Sequence, residues 1–151
     1  MKKIVIINGP NLNMLGKREP ELYGDTTLEQ INAELCEIGR QKKVCVEIFQ
    51  SNHEGAIIDK IQAISDQCAG LIINPGAFTH TSIAIRDALL LIDAPIIEIH
   101  LSNIYKRETF RHKSVISDIA VGQITGFGEA GYFFALKTLI SDISVRSDYN
   151  E

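Results

Sequence analysis

Lys3-Ile4-Val5-Ile6-Ile7-Asn8-Gly9-Pro10 is the stretch whose reading decides the fold class. A short β-branched run cut off by a Gly-Pro pair reads as a buried strand. The pattern recurs along the chain. Val44 to Gln50, Leu71 to Asn74 (stopped by Pro75-Gly76), Pro95 to His100 and Ala120 to Thr125 read the same way, giving about five strands. Helical spacing fills the gaps. Thr26 and Glu29 form a capping box ahead of Leu28, Ile31, Leu35 and Ile38. Ser51 and Glu54 form a second, ahead of Ile57, Ile61, Ile64 and Cys68, with Gly70 placed to end that helix. Ser82 to Ile92 is a third helix, and Glu129 to about Ile143 a last one, with an exposed tail over about 145–151. Alternating strands and helices predict an α/β chain, a three-layer doubly wound parallel sheet, in one catalytic domain over residues 1–151. In such a fold the site lies beyond the carboxyl ends of the strands.

Size and charge narrow the function. The 151 residues carry 15 basic and 19 acidic side chains, a net charge of −4, so the phosphate attraction behind nucleic-acid binding is missing. Cys36, Cys45 and Cys68 form no CxxC pair and suit a reducing cytosol. The longest apolar runs, such as Ala88-Leu89-Leu90-Leu91-Ile92, are too short to cross a membrane, and the N-terminal run stops too early for a signal peptide. The chain therefore reads as cytoplasmic.

The predicted strand ends are polar. Glu98 and His100 stand two apart on a strand and share a face. A carboxylate beside an imidazole fixes its tautomer, which suits a general acid, although the same pair also serves as a structural contact. A metal reading lacks a third ligand, since His53, His80 and His112 fall on separate loops. Arg18 and Tyr23 lie in a long loop over residues 9–25, a candidate lid. A free tyrosine has a pKa of about 10, leaving on the order of 0.1% phenolate at pH 7, and a nearby guanidinium raises that fraction. His80, Thr81 and Ser82 precede a helix N-terminus, which attracts anions, and Arg111 can grip a carboxylate. Gly126-Phe127-Gly128-Glu129-Ala130-Gly131 matches GxGxxG, but no return strand with an acidic ribose ligand follows it. Its glycines read as a tight turn and close helix packing.

Together, Asn8-Gly9-Pro10-Asn11-Leu12-Asn13, Arg18-Glu19-Pro20-Glu21-Leu22-Tyr23-Gly24, Ile73-Asn74-Pro75-Gly76-Ala77-Phe78-Thr79-His80-Thr81-Ser82, Glu98-Ile99-His100-Leu101-Ser102-Asn103 and Phe110-Arg111-His112 resemble type II 3-dehydroquinate dehydratase in content, order and spacing. The likeness covers nearly the whole chain. Met14, Phe78, Tyr105 and Lys113 depart from the residues expected in that family. The resemblance implies a flavodoxin-like fold and a hydro-lyase of the shikimate pathway. The implied reaction is anti elimination of water from 3-dehydroquinate through an enolate, with no cofactor and no metal. It implies Tyr23 as the base, Arg18 as its activator, Asn11 as holder of a water at the enolate oxygen, and His100, oriented by Glu98, as the acid. It implies substrate contacts from Asn74, His80, Arg111 and the backbone N–H groups of Leu101 and Ser102, with Arg107 supporting the lid. It also implies a homododecamer built from trimers, with Asp87 reaching a neighbouring subunit's site. The partners are then a small-molecule substrate and further copies of the chain, with no nucleic acid and no membrane. Independently, Tyr132, Phe133, Phe134, Leu136, Leu139 and Ile140 spread around the last helix, more than a single ~100° stripe, which predicts apolar surface for an oligomer to bury, the alternative being a helix sunk deeper in its own core.

Two rival functions fit the same fold: a flavodoxin-like module binding FMN or phosphate without catalysis, and a different small-molecule lyase or hydrolase. The first needs a phosphate loop or acidic residues after strand one, where this chain has Gly9-Pro10-Asn11. A Schiff-base mechanism needs a lysine at the end of a core strand, and no predicted core strand ends in one.

Overall fold

The structure is a computed structural model that describes residues 1–17, 21 and 24–148. Among these residues it has one sheet of five parallel strands: β1 (Lys3–Asn8), β2 (Cys45–Gln50), β3 (Gly70–Asn74), β4 (Ile96–His100) and β5 (Gly122–Thr125). Their order is β2-β1-β3-β4-β5, the flavodoxin-like arrangement. The helices between them are α1 (Leu28–Gln41), α2 (Glu54–Ile64), α3 (Ile83–Leu89) and α4 (Ala130–Asp148).

Strand alternation splits the core into two. Ile4 and Ile6 of β1 join Ile72, Ile97 and Ile99 under α1 and α4, packed on Ile31, Leu35, Leu136 and Leu139. Val5 and Ile7 point the other way, joining Leu71, Ile73 and Ile96 under α2 and α3, against Ile57, Ile61 and Ile85. Burying one such side chain contributes about 1.5–3 kcal/mol, which is why β1 reads as an unbroken apolar run.

The order of the strands positions the site. From β1 the chain moves outward to β2 and then returns past β1 to β3. The loops after β1 and β3 therefore diverge, opening a crevice where Asn8 pairs with Asn74. There the two loops touch: the Gly9 N–H donates to the Asn74 carbonyl at 2.7 Å, and a Cβ on Gly9 would fall 2.3 Å from the Pro75 carbonyl oxygen. Any side chain at position 9 would force them apart.

Several predicted element ends move. The first helix is capped by Thr27 with Gln30: Thr27 Oγ1 accepts from the Gln30 N–H at 3.2 Å and Gln30 Oε1 from the Thr27 N–H at 2.8 Å. The sequence holds two overlapping boxes, and spacing alone does not choose between them. Ser51 is not a cap. Its hydroxyl accepts from the His53 N–H at 3.0 Å, a local turn that competes with capping, and His53 opens α2 with no side-chain cap. Gly70 does not end α2, which stops at Ile64. It starts β3, where a Cβ would meet Leu139 Cδ1 at 3.0 Å, so its lack of a side chain lets α4 press on the sheet. The last helix continues to Asp148, so residues 145–148 are not a tail. Its apolar residues also serve its own sheet more than predicted. Tyr132, Leu136 and Leu139 are buried, and Phe133 and Ile140 pack against them, leaving Phe134 exposed beside Phe127.

Candidate active site

Glu98 and His100 do share a face of β4. His100 Nε2 lies 2.6 Å from Glu98 Oε1, with Glu98 fully buried and His100 only 6% exposed. The carboxylate has two further donors. Thr79 Oγ1 stands 2.5 Å from Oε1, and Ser114 Oγ stands 2.9 and 3.0 Å from the two oxygens. Burial pushes the Glu98 carboxyl up, but hydrogen bonds from His100 and Thr79 outweigh it and hold its pKa below the ordinary carboxylate value. Glu98 is therefore an acceptor at neutral pH, and His100 Nε2 carries a hydrogen toward it. Nδ1 is left as the nitrogen that can exchange a proton with a ligand.

His100 lines a cavity of about 380 Å³ beyond the strand ends. Of the residues singled out from the sequence, Asn11, Asn74, His80, Leu101, Ser102, Arg107 and Arg111 line it too. Asp87 does not: it is exposed on α3. Arg18 and Tyr23 lie outside the described residues. Among the described residues, no group of three or more His, Cys, Asp or Glu side chains is arranged to hold a metal ion.

Several lining residues are held by identifiable neighbours. Asn11 has φ +69°, a left-handed conformation that Asn tolerates better than most residues. Its N–H donates to Asn52 Oδ1 at 2.9 Å, and Gln50 Nε2 ties Asn52 to the Gly9 carbonyl. His80 Nδ1 lies 2.8 Å from the Lys113 carbonyl, which only accepts, so Nδ1 is protonated. Its ring stacks on that of His100 with centroids 6.3 Å apart. Ser82, predicted near an anion site, caps α3 instead: its buried hydroxyl accepts from the Ile85 N–H at 2.9 Å. Arg111 Nε donates to Glu108 Oε2 at 2.7 Å, and Arg107 Nε is 3.8 Å from the same oxygen.

Sequence reasoning missed the supporting residues. Asn74 Nδ2 donates to the Tyr132 hydroxyl at 3.2 Å, and that hydroxyl donates to Asn8 Oδ1. Tyr132 is wholly buried, which pushes its phenol pKa up and keeps it neutral. Its signal was a phenol on an apolar helix, since a buried Tyr hydroxyl needs a partner. Thr79 lies inside a quoted motif. Ser114 stands in an irregular stretch with no local signal. The GxGxxG segment also supports the site. The N–H groups of Gly126 and Gly128 donate to the His100 and Leu101 carbonyls at 3.2 and 2.9 Å, with positive φ at both glycines. Thr125 Oγ1 donates to the Ser102 carbonyl at 2.9 Å. The β5 end thus fixes the peptide units after β4.

The arrangement can give a proton from an imidazole locked by a buried carboxylate, and can hold a small anion at Arg111. Residues 2–140 match the family described as Dehydroquinase class II. The chain is 58% identical over 141 residues to the 3-dehydroquinate dehydratase of Endomicrobium trichonymphae, covering 93% of this chain and 99% of that one. It is 57% identical over 145 residues to that of Francisella philomiragia, covering 96% and 99%. The solved type II dehydroquinase of Propionibacterium acnes superposes with a TM-score of 0.89 at 45% identity, covering 93% of this chain and 97% of that one. By match length, identity and shared fold, this chain belongs to the class II dehydroquinase family.

Proposed function

We propose that this protein is a 3-dehydroquinate dehydratase acting in the shikimate pathway of aromatic amino acid biosynthesis, as a cytoplasmic enzyme with one catalytic domain over residues 1–151. The observation that carries the reading is the buried Glu98–His100 pair facing a cavity with Arg111 on its lining. The family's hydro-lyase reaction needs such an acid and such an anion grip.

The elimination runs in two steps. Tyr23, held as phenolate by Arg18, takes the C2 proton, and the C2–H electron pair moves toward the C3 ketone to give an enolate. Asn11 holds a water at the enolate oxygen. The enolate then collapses, the C1–O bond breaks, and His100 gives its proton to the departing hydroxyl, which leaves as water. Acid and base come from different elements, β4 and the 9–25 lid loop, which suits anti geometry. Asn74, His80, the backbone N–H groups of Leu101 and Ser102, and Arg111 hold the substrate hydroxyls and carboxylate. Arg107 supports the lid.

Mixing the protein with 3-dehydroquinate tests the activity: ultraviolet absorbance of the conjugated enone should rise. Silence in that assay returns the chain to the rival readings, a binding module or another lyase. Tyr23→Phe should abolish dehydration while substrate still binds. If more than about a tenth of kcat remains, less than ~1.4 kcal/mol of barrier rests on Tyr23 and it is not the base.

The assembly we propose is a homododecamer of trimers. In support, Ile83, Leu90, Leu91 and Val121 are exposed, with Leu90 and Val121 lining one cleft, and a closed oligomer covers apolar surface of this kind. Asp87 then completes a neighbouring copy's site. Sedimentation at micromolar concentration decides it: a fully active monomer removes both the oligomer and the role of Asp87.

A further inference from the structure

We propose that Thr79 and Ser114 are positioning residues for the acid, which keep the His100 proton on Nε2 while Nδ1 gives its proton away; this rests on reading His100 as the donor to the C1 hydroxyl. The argument is a count of donors and lone pairs. Ser114 Oγ accepts from the Ile116 N–H at 3.2 Å and from the Ser117 N–H at 3.0 Å. Both lone pairs are then used. The one O–H left points between the two oxygens of Glu98, 2.9 and 3.0 Å away. Thr79 supplies a second O–H to Oε1, the same oxygen that faces His100.

A carboxylate supplied with donors is a poor proton acceptor. While the ring carries both protons, Glu98 does not take the one on Nε2, so the proton given to the C1 hydroxyl is the one on Nδ1. The imidazole ends as a neutral Nε2–H ring in its original orientation, ready to be reprotonated on Nδ1. The Ser114 segment is irregular but well anchored. The Val115 N–H donates to the Thr79 carbonyl at 2.8 Å, so the two hydroxyl residues are tied to each other. Arg86 on α3 donates to the Val115 carbonyl at 2.7 Å and pairs with Asp118.

The test separates the two half-reactions in D2O, as deuterium entry at C2 of remaining 3-dehydroquinate against loss of water. Thr79→Val keeps the size of the side chain and the carbonyl that binds Val115, and removes only the O–H. It should slow water loss by about tenfold, the effect of one hydrogen bond to a charged group, while C2 exchange and KM hold. Ser114→Ala should give the same split, and Ser114→Thr, which keeps the hydroxyl, should restore water loss. Wild-type water loss in Thr79→Val, or an equal fall in both half-reactions, overturns the proposal. So does a Ser114→Thr variant as slow as Ser114→Ala. His100→Ala separates this from the underlying reading. If His100→Ala shows the split and Thr79→Val does not, only the positioning role falls. If His100→Ala loses both half-reactions equally, His100 is not the acid and both fall.

Discussion

His100 and Arg111 line the same cavity, yet they are held in opposite ways. His100 sits at the end of a central strand, almost without exposure, against a carboxylate that is fully buried and bonded by two hydroxyls. Arg111 stands on a short turn. Its side chain is 25% exposed and its ion-pair partner, Glu108, is 53% exposed, so solvent screens the pair. The Glu108 carboxyl lies below its ordinary pKa, first through a backbone hydrogen bond and then through Arg111, and it stays charged at neutral pH. The contrast fits the two tasks proposed for them. A proton donor needs a fixed tautomer and orientation, which burial and a saturated partner supply. An anion grip must meet a charged ligand arriving from water, which an open, exchangeable pair allows.

The comparison can be broken at either region. His100→Ala should have the largest effect, a fall in kcat of about 10²–10⁴-fold with KM little changed, the usual contribution of a positioned acid. Steady-state rates within tenfold of wild type would show that the locked pair is structural. Arg111→Ala should come next. It should raise KM by about 10–100-fold and lower kcat less, because a charged hydrogen bond to the substrate carboxylate is lost in ground and transition states alike. A selective loss of kcat would place Arg111 with the chemistry instead of the grip.

Stability against pH sharpens the contrast. The folded pKa of Glu98 lies below its unfolded value, so its contribution is present above the unfolded carboxylate range and is lost as pH falls through the folded value. Urea midpoints compared at pH 7 and pH 3 should therefore drop further for wild type than for Glu98→Gln, which carries no titrating group there. Equal drops would mean that the buried pair adds nothing to acid sensitivity. The smallest effect belongs to His112, whose Nε2 lies 3.0 Å from the Arg107 carbonyl at the exposed rim. His112→Ala should leave kcat/KM nearly unchanged and stability within about 0.5–1 kcal/mol. A loss rivalling that of Arg111→Ala would show the rim to be as rigid as the strand end.

Much of the site was legible because its residues cluster at strand ends, where a parallel sheet always presents its loops. His80, His100 and Arg111 were reached that way, Asn11 and Asn74 through the family likeness, and all five line the cavity. Asp87 was reached only through the family likeness, and in its own chain it is exposed on α3 and does not line the cavity. Tyr132 was read as one more apolar residue of the last helix, because periodicity records where a side chain points and not what its hydroxyl meets. Ser114 carried no local signal at all. Its role exists only where the chain returns to within hydrogen-bond reach of Glu98.

The sequence by itself determined the strand–helix alternation, the two-sided core and the polar strand ends, since apolar period and turn chemistry are local properties. It also carried the family's motifs in order. Tertiary structure alone decided which of two overlapping capping boxes forms, that Gly70 yields space to Leu139 instead of ending a helix, and that α4 spends most of its apolar face on its own sheet. It also decided that Glu98 meets Thr79 and Ser114. Each of these depends on atoms far apart in the chain arriving at contact distance, and no window along the sequence contains both partners.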